Sequence, residues 1–299
     1  MSTGLSVVAT YPSEMIDCSS FIHRMGHRRR VTLFCVLGDA HLDVVVCPVG
    51  PVAEETDTSA RTWVGAGGQA ANVAAWIAAL GGRSRLIAAR GTDLAAQLVA
   101  SDLHRRGVDL RGPVLDGPTG VVVSLSHDGV IRSMLTDRGV GPLLSEEALD
   151  DGWLAGCGLL HLPAYSLTRA PVSGAALAAA ARVPRLSVDL SSTAVLTEYG
   201  VARFRALLGR LRPEVVFGTA AEADLIGELD GTDLAGTDLV VKLGARGVRA
   251  GGTEHPAHSV DAVDSTGAGD AFAAGYLVGG ISLGLAAAAR AVAKMGAMP

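Results

Sequence analysis

The sequence predicts an α/β fold: a largely parallel central sheet covered by helices on both faces, with a small β-sheet beside it. Three observations carry this expectation. Beyond residue 136, short strand-like runs alternate with helical segments, the order produced by βα units in a parallel sheet. The first ordered strand, 31–37, is continuously apolar, as a strand buried on both faces must be. Segments 44–64 and 119–136 break the alternation and are β-rich, which sets a small sheet apart from the main one.

Along the chain, residues 1–30 show no period and end in the basic cluster Arg24, His27 and Arg28 to Arg30. No long apolar segment precedes a cleavage site, so this reads as a poorly ordered arm and not a secretory signal. Domain 31–299 opens with the 31–37 strand, ended by Gly38-Asp39, and a second strand at 41–46. Residues 48–61 read as exposed turns and short strand, and 65–69 as a glycine loop entering a helix over 70–80 that stops at Gly81-Gly82. A strand at 85–89 and an amphipathic helix at 93–106 follow, the helix closed by Gly107. Runs 121–126 and 130–135 flank His127-Asp128-Gly129, a strong hairpin signal. Helices are expected at 145–154, 172–182, 201–211 and 220–228, and strands at 159–162, 186–190, 215–217 and 239–243. Two helices, one from 271 and one over 285–294, complete the series.

Composition narrows the function. The 299 residues are 49% hydrophobic and only 18% charged, enough for one large α/β domain. A net charge of −5 points away from nucleic acid and from anionic membrane surfaces. The four cysteines (Cys18, Cys35, Cys47, Cys157) have no C-x-x-C spacing and read as reduced thiols of a cytoplasmic protein, without zinc. Residues 271–289 carry no charge over 19 positions, the length of a membrane span. Gly279-Gly280 and Ser282 split that stretch, so two packed helices are expected instead.

The chemistry concentrates at Asp264-Ser265-Thr266-Gly267-Ala268-Gly269-Asp270. Small residues just before an apolar helix leave unpaired amides at its positive end, which is an anion site. Asp270 would face that anion, a position suited to a base that takes a proton from an attacking hydroxyl; the competing reading is a capped core helix. Gly65 to Gln69 matches neither the G-x-x-x-x-G-K-S/T phosphate loop nor, fully, the dinucleotide fingerprint. Its glycines and Asn72 either approach a polyhydroxylated ligand or form a plain turn. Asp43, in an apolar strand, either faces a cleft or lies on an exposed edge. Glu222 either stabilises its helix dipole or orients Mg²⁺. Gly244-Ala245-Arg246-Gly247 follows a strand's C-terminal end, where α/β proteins bind ligands.

Gly67-Gly68-Gln69-Ala70-Ala71-Asn72 resembles the first signature of the ribokinase-like carbohydrate kinases, the PfkB family, and Asp264 to Asp270 resembles the second. The resemblance takes in Gly38 to Asp43 and Val241 to Gly247, and so covers residues 31–299. It implies a ribokinase-like three-layer α/β/α fold and transfer of the γ-phosphoryl group of ATP to a hydroxyl of a sugar, sugar acid or nucleoside. It implies that Asp270 is the catalytic base and that Gly267, Ala268 and Gly269 form the anion hole. Asp43, Gly67, Gly68 and Asn72 would bind the substrate, and Gly244, Gly247 and Thr266 the nucleotide. Glu222 would orient Mg²⁺, and Asp264, with the segment by Gly296, a monovalent cation such as K⁺. The β-rich segments would form a lid and the interface of a homodimer. Four departures stand out: Thr219 replaces the Asn of the family's N-x-x-E motif, Gln69-Ala70 replaces the Lys-Gly of ribokinase proper, Pro163-Ala164-Tyr165 stands where ribokinase proper has a substrate-binding acid, and the helix after Gly284 lacks the asparagine often found near the nucleotide. A regulatory protein of the same fold without catalysis, and a vitamin-type kinase of the wider superfamily, are the competing functions.

Overall fold

The computed structural model describes residues 32–127, 131–227, 234 and 236–299; the arm 1–30 and the Asp128-Gly129 turn lie outside the described residues. In chain order the elements are β1 (Leu33–Leu37), β2 (His41–Pro48), β3 (Ala60–Gly67), α1 (Gln69–Ala79), β4 (Arg83–Ile87), α2 (Leu94–Arg105), β5 (Val108–Arg111), β6 (Thr119–His127) and β7 (Ile131–Gly139). Then come α3 (Asp151–Leu154), β8 (Cys157–Pro163), α4 (Ala164–Thr168), α5 (Val172–Ala180), β9 (Leu186–Asp189), α6 (Thr193–Tyr199), α7 (Val201–Leu211), β10 (Val215–Thr219) and α8 (Ala220–Ile226). The chain closes with β11 (Asp238–Lys242), β12 (Val248–Ala250), β13 (Thr253–His255), α9 (Ala268–Gly279) and α10 (Ile281–Val292).

The large sheet has the order β13-β12-β11-β10-β9-β8-β1-β4-β5 and is parallel from β5 through β11, with β12 and β13 added antiparallel at one edge. β1 lies inside this sheet and every one of its residues is buried. Because successive side chains point to opposite faces, Leu33, Cys35 and Leu37 enter one core with α5 and α7, while Phe34 and Val36 enter another with α1, α9 and α10. Each fully buried aliphatic or aromatic side chain there contributes about 1.5–3 kcal/mol. The alanine-rich helices serve close approach: a Cβ on Gly275 would lie 2.7 Å from the Cα of Gly284, so α9 and α10 cross backbone to backbone. That crossing is why residues 271–289 form two helices, and among the described residues no helix is long and apolar enough to cross a membrane.

The second sheet, β3-β2-β6-β7, pairs β2 with β3 and β6 with β7 antiparallel, joined by a parallel β2–β6 pair. It gathers the two β-rich segments that interrupt the alternation.

Several expectations are corrected. Gly65, Ala66 and Gly67 are not a loop; they end β3, paired with Asp43, Leu42 and His41, and the turn is Gly68 alone. The helix expected over 145–154 is only α3, because the Asp150 carboxylate caps the Gly152 amide at 2.7 Å and starts the helix there. β5, α4, α6 and the β12–β13 hairpin are additional; they run three to seven residues, too short to show a period.

Candidate active site

The second glycine segment is held from behind. Asp264 is buried, and its Oδ1 accepts the Thr266 N–H (2.9 Å) while Oδ2 accepts the Gly296 N–H (2.8 Å), tying the turn to the C-terminal segment. Trp76 Nε1 anchors that segment from α1 by donating to the Ala297 carbonyl at 2.8 Å. Gly267 caps α9 at φ +74°, and a Cβ there would lie 2.6 Å from the Cα of Ala297, so no side chain fits. No side chain caps α9. Its first-turn amides therefore keep donors for a ligand, although the Ala268 N–H also turns back to the Ser265 carbonyl at 3.3 Å.

Asp270 sits in this first turn, and its Oδ2 accepts a 2.8 Å hydrogen bond from Asn72 Nδ2 in the first turns of α1. Two signatures 198 residues apart thus meet through one hydrogen bond. The Asn72 side-chain oxygen, Oδ1, is buried and has no protein partner among the described residues. The Asp43 carboxylate packs on Gly67, where a Cβ would fall 2.1 Å from its Cγ, and it pairs with His41 Nε2 at 2.9 Å. On the other side of the imidazole, Asp39 lies 3.8 Å from His41 Nδ1, and its Oδ1 accepts the Ala70 N–H at 3.1 Å. Burial works against a charged His41, but Asp43 and Asp39 outweigh it and raise its pKa. Burial pushes the Asp270 carboxyl up to about 7; Asp189 and Asp39 add to the rise, and Asn72 and Lys242 oppose it.

Two residues at the site had not been singled out from the sequence. Lys242, at the end of β11, places Nζ 2.7 Å from Asp189 Oδ2 at the end of β9, and Asp189 is 1% exposed. A Cβ on Gly269 would lie 3.3 Å from this ammonium, so Lys242 abuts the start of α9. Burial pulls the Lys242 pKa down, but Asp189, helped by Asp270 and Glu222, more than offsets it and the pKa is raised. The available signal was a lone charge closing each of two apolar strands at the sheet edge where α/β proteins gather ligands.

Glu222 is buried and forms a reciprocal capping box: its Oε2 accepts the Thr219 N–H at 2.8 Å, and Thr219 Oγ1 accepts the Glu222 N–H at 3.4 Å. The departure at Thr219 is therefore a working N-cap. Gly244 and Gly247 frame a short 3₁₀ turn just after Lys242, and Arg246 within it makes an exposed 3.9 Å pair with Glu254. Asp43, Gly67, Gly68 and Asn72 thus meet Gly267, Ala268, Gly269 and Asp270 at one locus. Asp264 and Thr266 lie in the turn behind it. Glu222 reaches it electrostatically through Lys242. Among the described residues, Cys35, Cys47 and Cys157 are free thiols, and no cluster of three or more His, Cys, Asp or Glu is arranged to hold a metal by itself.

Residues 31–298 match the family described as pfkB family carbohydrate kinase. The ATP-dependent ribose-1-phosphate kinase of Halopiger xanaduensis is 33% identical over 223 residues, covering 71% of this chain and 72% of that one. Among solved structures, the adenosine kinase of Sinorhizobium meliloti superposes with a TM-score of 0.76 at 23% identity, covering 90% of this chain and 96% of that one. A ribokinase II of E. coli, solved in complex with ATP and Mg²⁺, superposes with a TM-score of 0.75 at 20% identity, covering 89% and 94%. These likenesses show the ribokinase-like fold. With both signatures joined at Asn72 and Asp270 and the family match spanning the described fold, the chain belongs to the pfkB family of carbohydrate kinases, phosphotransferases with an alcohol group as acceptor.

Proposed function

We propose that this kinase transfers the γ-phosphoryl group of ATP to a hydroxyl of a small sugar, sugar acid or nucleoside, with Asp270 as the base. The observation that carries the reading is the Asn72–Asp270 hydrogen bond at the uncapped start of α9, on a carboxyl whose pKa stands at about 7. A base poised near neutrality takes a proton from a hydroxyl most efficiently, an effect of about 10²–10⁴-fold. Asp43 accepts from acceptor hydroxyls, and the backbone at Gly67 and Gly68 lets them approach, beside the buried Asn72 Oδ1, which has no protein partner among the described residues. The amides of Gly267, Ala268 and Gly269 hold the charge that develops on the transferred group, and Lys242 adds a fixed cation beside them.

Mg²⁺-ATP supplies the phosphoryl group and the metal that neutralises it; in this reading Gly244, Gly247 and Thr266 line its site and Glu222 orients the metal through water. The E. coli structure that holds ATP and Mg²⁺ has the same fold, which supports this. Asp264 and the Gly296 segment form the site of a monovalent cation such as K⁺. The small sheet acts as a lid and as the interface of a homodimer. Free thiols at Cys35 and Cys157 fit a reducing, cytoplasmic setting.

A regulator without catalysis keeps the fold but has no need of a base tuned to neutrality, and Thr219 does not favour it, since Glu222 is capped and buried as it stands. The relatives named above act on ribose 1-phosphate and adenosine, so the acceptor is open among pentoses, hexoses, sugar acids, sugar phosphates and nucleosides. The test is acceptor-dependent ADP formation across that panel with Mg²⁺, with and without K⁺. Turnover of one class supports the reading; ligand binding with no turnover of any class supports the regulator.

A further inference from the structure

We propose that the acceptor carries an anionic substituent, a phosphate monoester or a carboxylate, bound by Arg138 and Arg169 at the far end of the acceptor cleft. The inference rests on the kinase reading above and deepens it. The cleft is a shallow, solvent-open depression. Asp39 and His41 line part of it, and His41 links it to the site through its 2.9 Å pair with Asp43. Arg138 from the end of β7, Tyr165 and Ser166 of α4, and Arg169 line the rest.

The two arginines are short of counter-charge. The Arg138 guanidinium carbon lies 4.9 Å from the centroid of the Tyr165 ring, a cation–π contact that uses no carboxylate. Among the described residues no carboxylate pairs with Arg138. Arg169 has Glu198 at 3.9 Å, but these side chains are 44% and 77% exposed, and an exposed pair at that distance is weak. A neutral sugar in this cleft leaves the Arg138 guanidinium without a counter-ion and Arg169 with the weak, exposed Glu198 pair. A phosphate or carboxylate supplies one, and its oxygens match the fork of each guanidinium. Polarity also sets the direction of binding. Asp39 and Asp43 accept hydroxyls and repel an anion, so the anionic group points to the arginine end and a hydroxyl is left toward Asp270. Tyr165, in the segment that departs from ribokinase proper, is the platform under Arg138.

The test pairs matched acceptors: a neutral pentose and hexose, their phosphate monoesters, their sugar acids, and a nucleoside. Expected is a kcat/KM for an anionic member at least about 10-fold above its neutral parent, falling towards parity in the Arg138→Ala/Arg169→Ala double variant. The KM for Mg²⁺-ATP and the thermal unfolding midpoint report whether that variant remains folded. Preference for the phosphate arm assigns a phosphate subsite, and preference for the acid arm a carboxylate subsite; both support the proposal. A neutral acceptor used as well as its anionic analogue, or a preference that survives the double substitution, overturns it. If no acceptor gives ADP, the kinase reading fails, and calorimetry on the same compounds still decides the proposal. Binding of an anionic sugar that is weakened by added salt and lost in the double variant supports it, and absence of such binding overturns it.

Discussion

Asp270 holds a charge in a place that resists it, and that conflict has two measurable consequences. If Asp270 is the base, as proposed, it works only when ionised, and kcat/KM is expected to rise with pH through an acid limb centred near the Asp270 value of about 7. Asn72→Ala removes the hydrogen bond that favours the carboxylate, so the limb should move to higher pH in a pH–rate profile. Stability follows the opposite sign. Between the ordinary 3.8 and about 7 the folded chain binds a proton that the unfolded chain has released, so stability falls as pH rises through that window. Asp270→Asn should therefore raise the unfolding midpoint above pH 7 and leave it unchanged below about pH 4, read by calorimetry at several pH values. The Asp270 motif and Asn72 were legible in the sequence because glycines, a carboxylate and a helix start leave a local pattern. Lys242 was not, since one lysine at a strand end looks like a surface charge until Asp189 and Gly269 are seen beside it.

At the scale of elements, the β3–α1 junction carries the proposed acceptor-binding surface. Gly67 pairs with His41 in the sheet and lies under the Asp43 carboxylate. Gly67→Ala sets a methyl group 2.1 Å from the Asp43 Cγ, so that carboxylate must move while β3 keeps its backbone bonds. The expected result is an acceptor KM raised about 10-fold or more, on the order of 1.4 kcal/mol of lost binding, with the Mg²⁺-ATP KM little changed. Steady-state kinetics with each substrate varied in turn checks it. Elements with a full helical period were readable: 201–211 is the span of α7. Residues 65–67 were misread because glycines signal a loop locally, whereas pairing with β2, a non-local contact, makes them strand.

The whole molecule is organised by one sheet with two buried faces and a second sheet that is only half covered. β1 reads as a doubly buried strand from sequence alone, and its residues do divide between two cores. The order of strands was not legible, because parallel pairing joins segments far apart in the chain. The small sheet sets Val64, Val44, Val123 and Leu135 in one row across β3, β2, β6 and β7, and the end members are 59% and 57% exposed. In the proposed homodimer this apolar row is covered by a second copy. Val64→Lys with Leu135→Lys should then convert the dimer to monomer in light scattering; a wild-type chain that is already monomeric contradicts that interface.

The central claim is that Asp270 takes the proton from an acceptor hydroxyl beside the amino end of α9. Its most direct test is acceptor-dependent ADP formation by Asp270→Asn beside the unaltered protein, with nucleotide binding measured on both. A fall in kcat of about 10²-fold or more with nucleotide affinity retained is predicted; undiminished turnover contradicts the account.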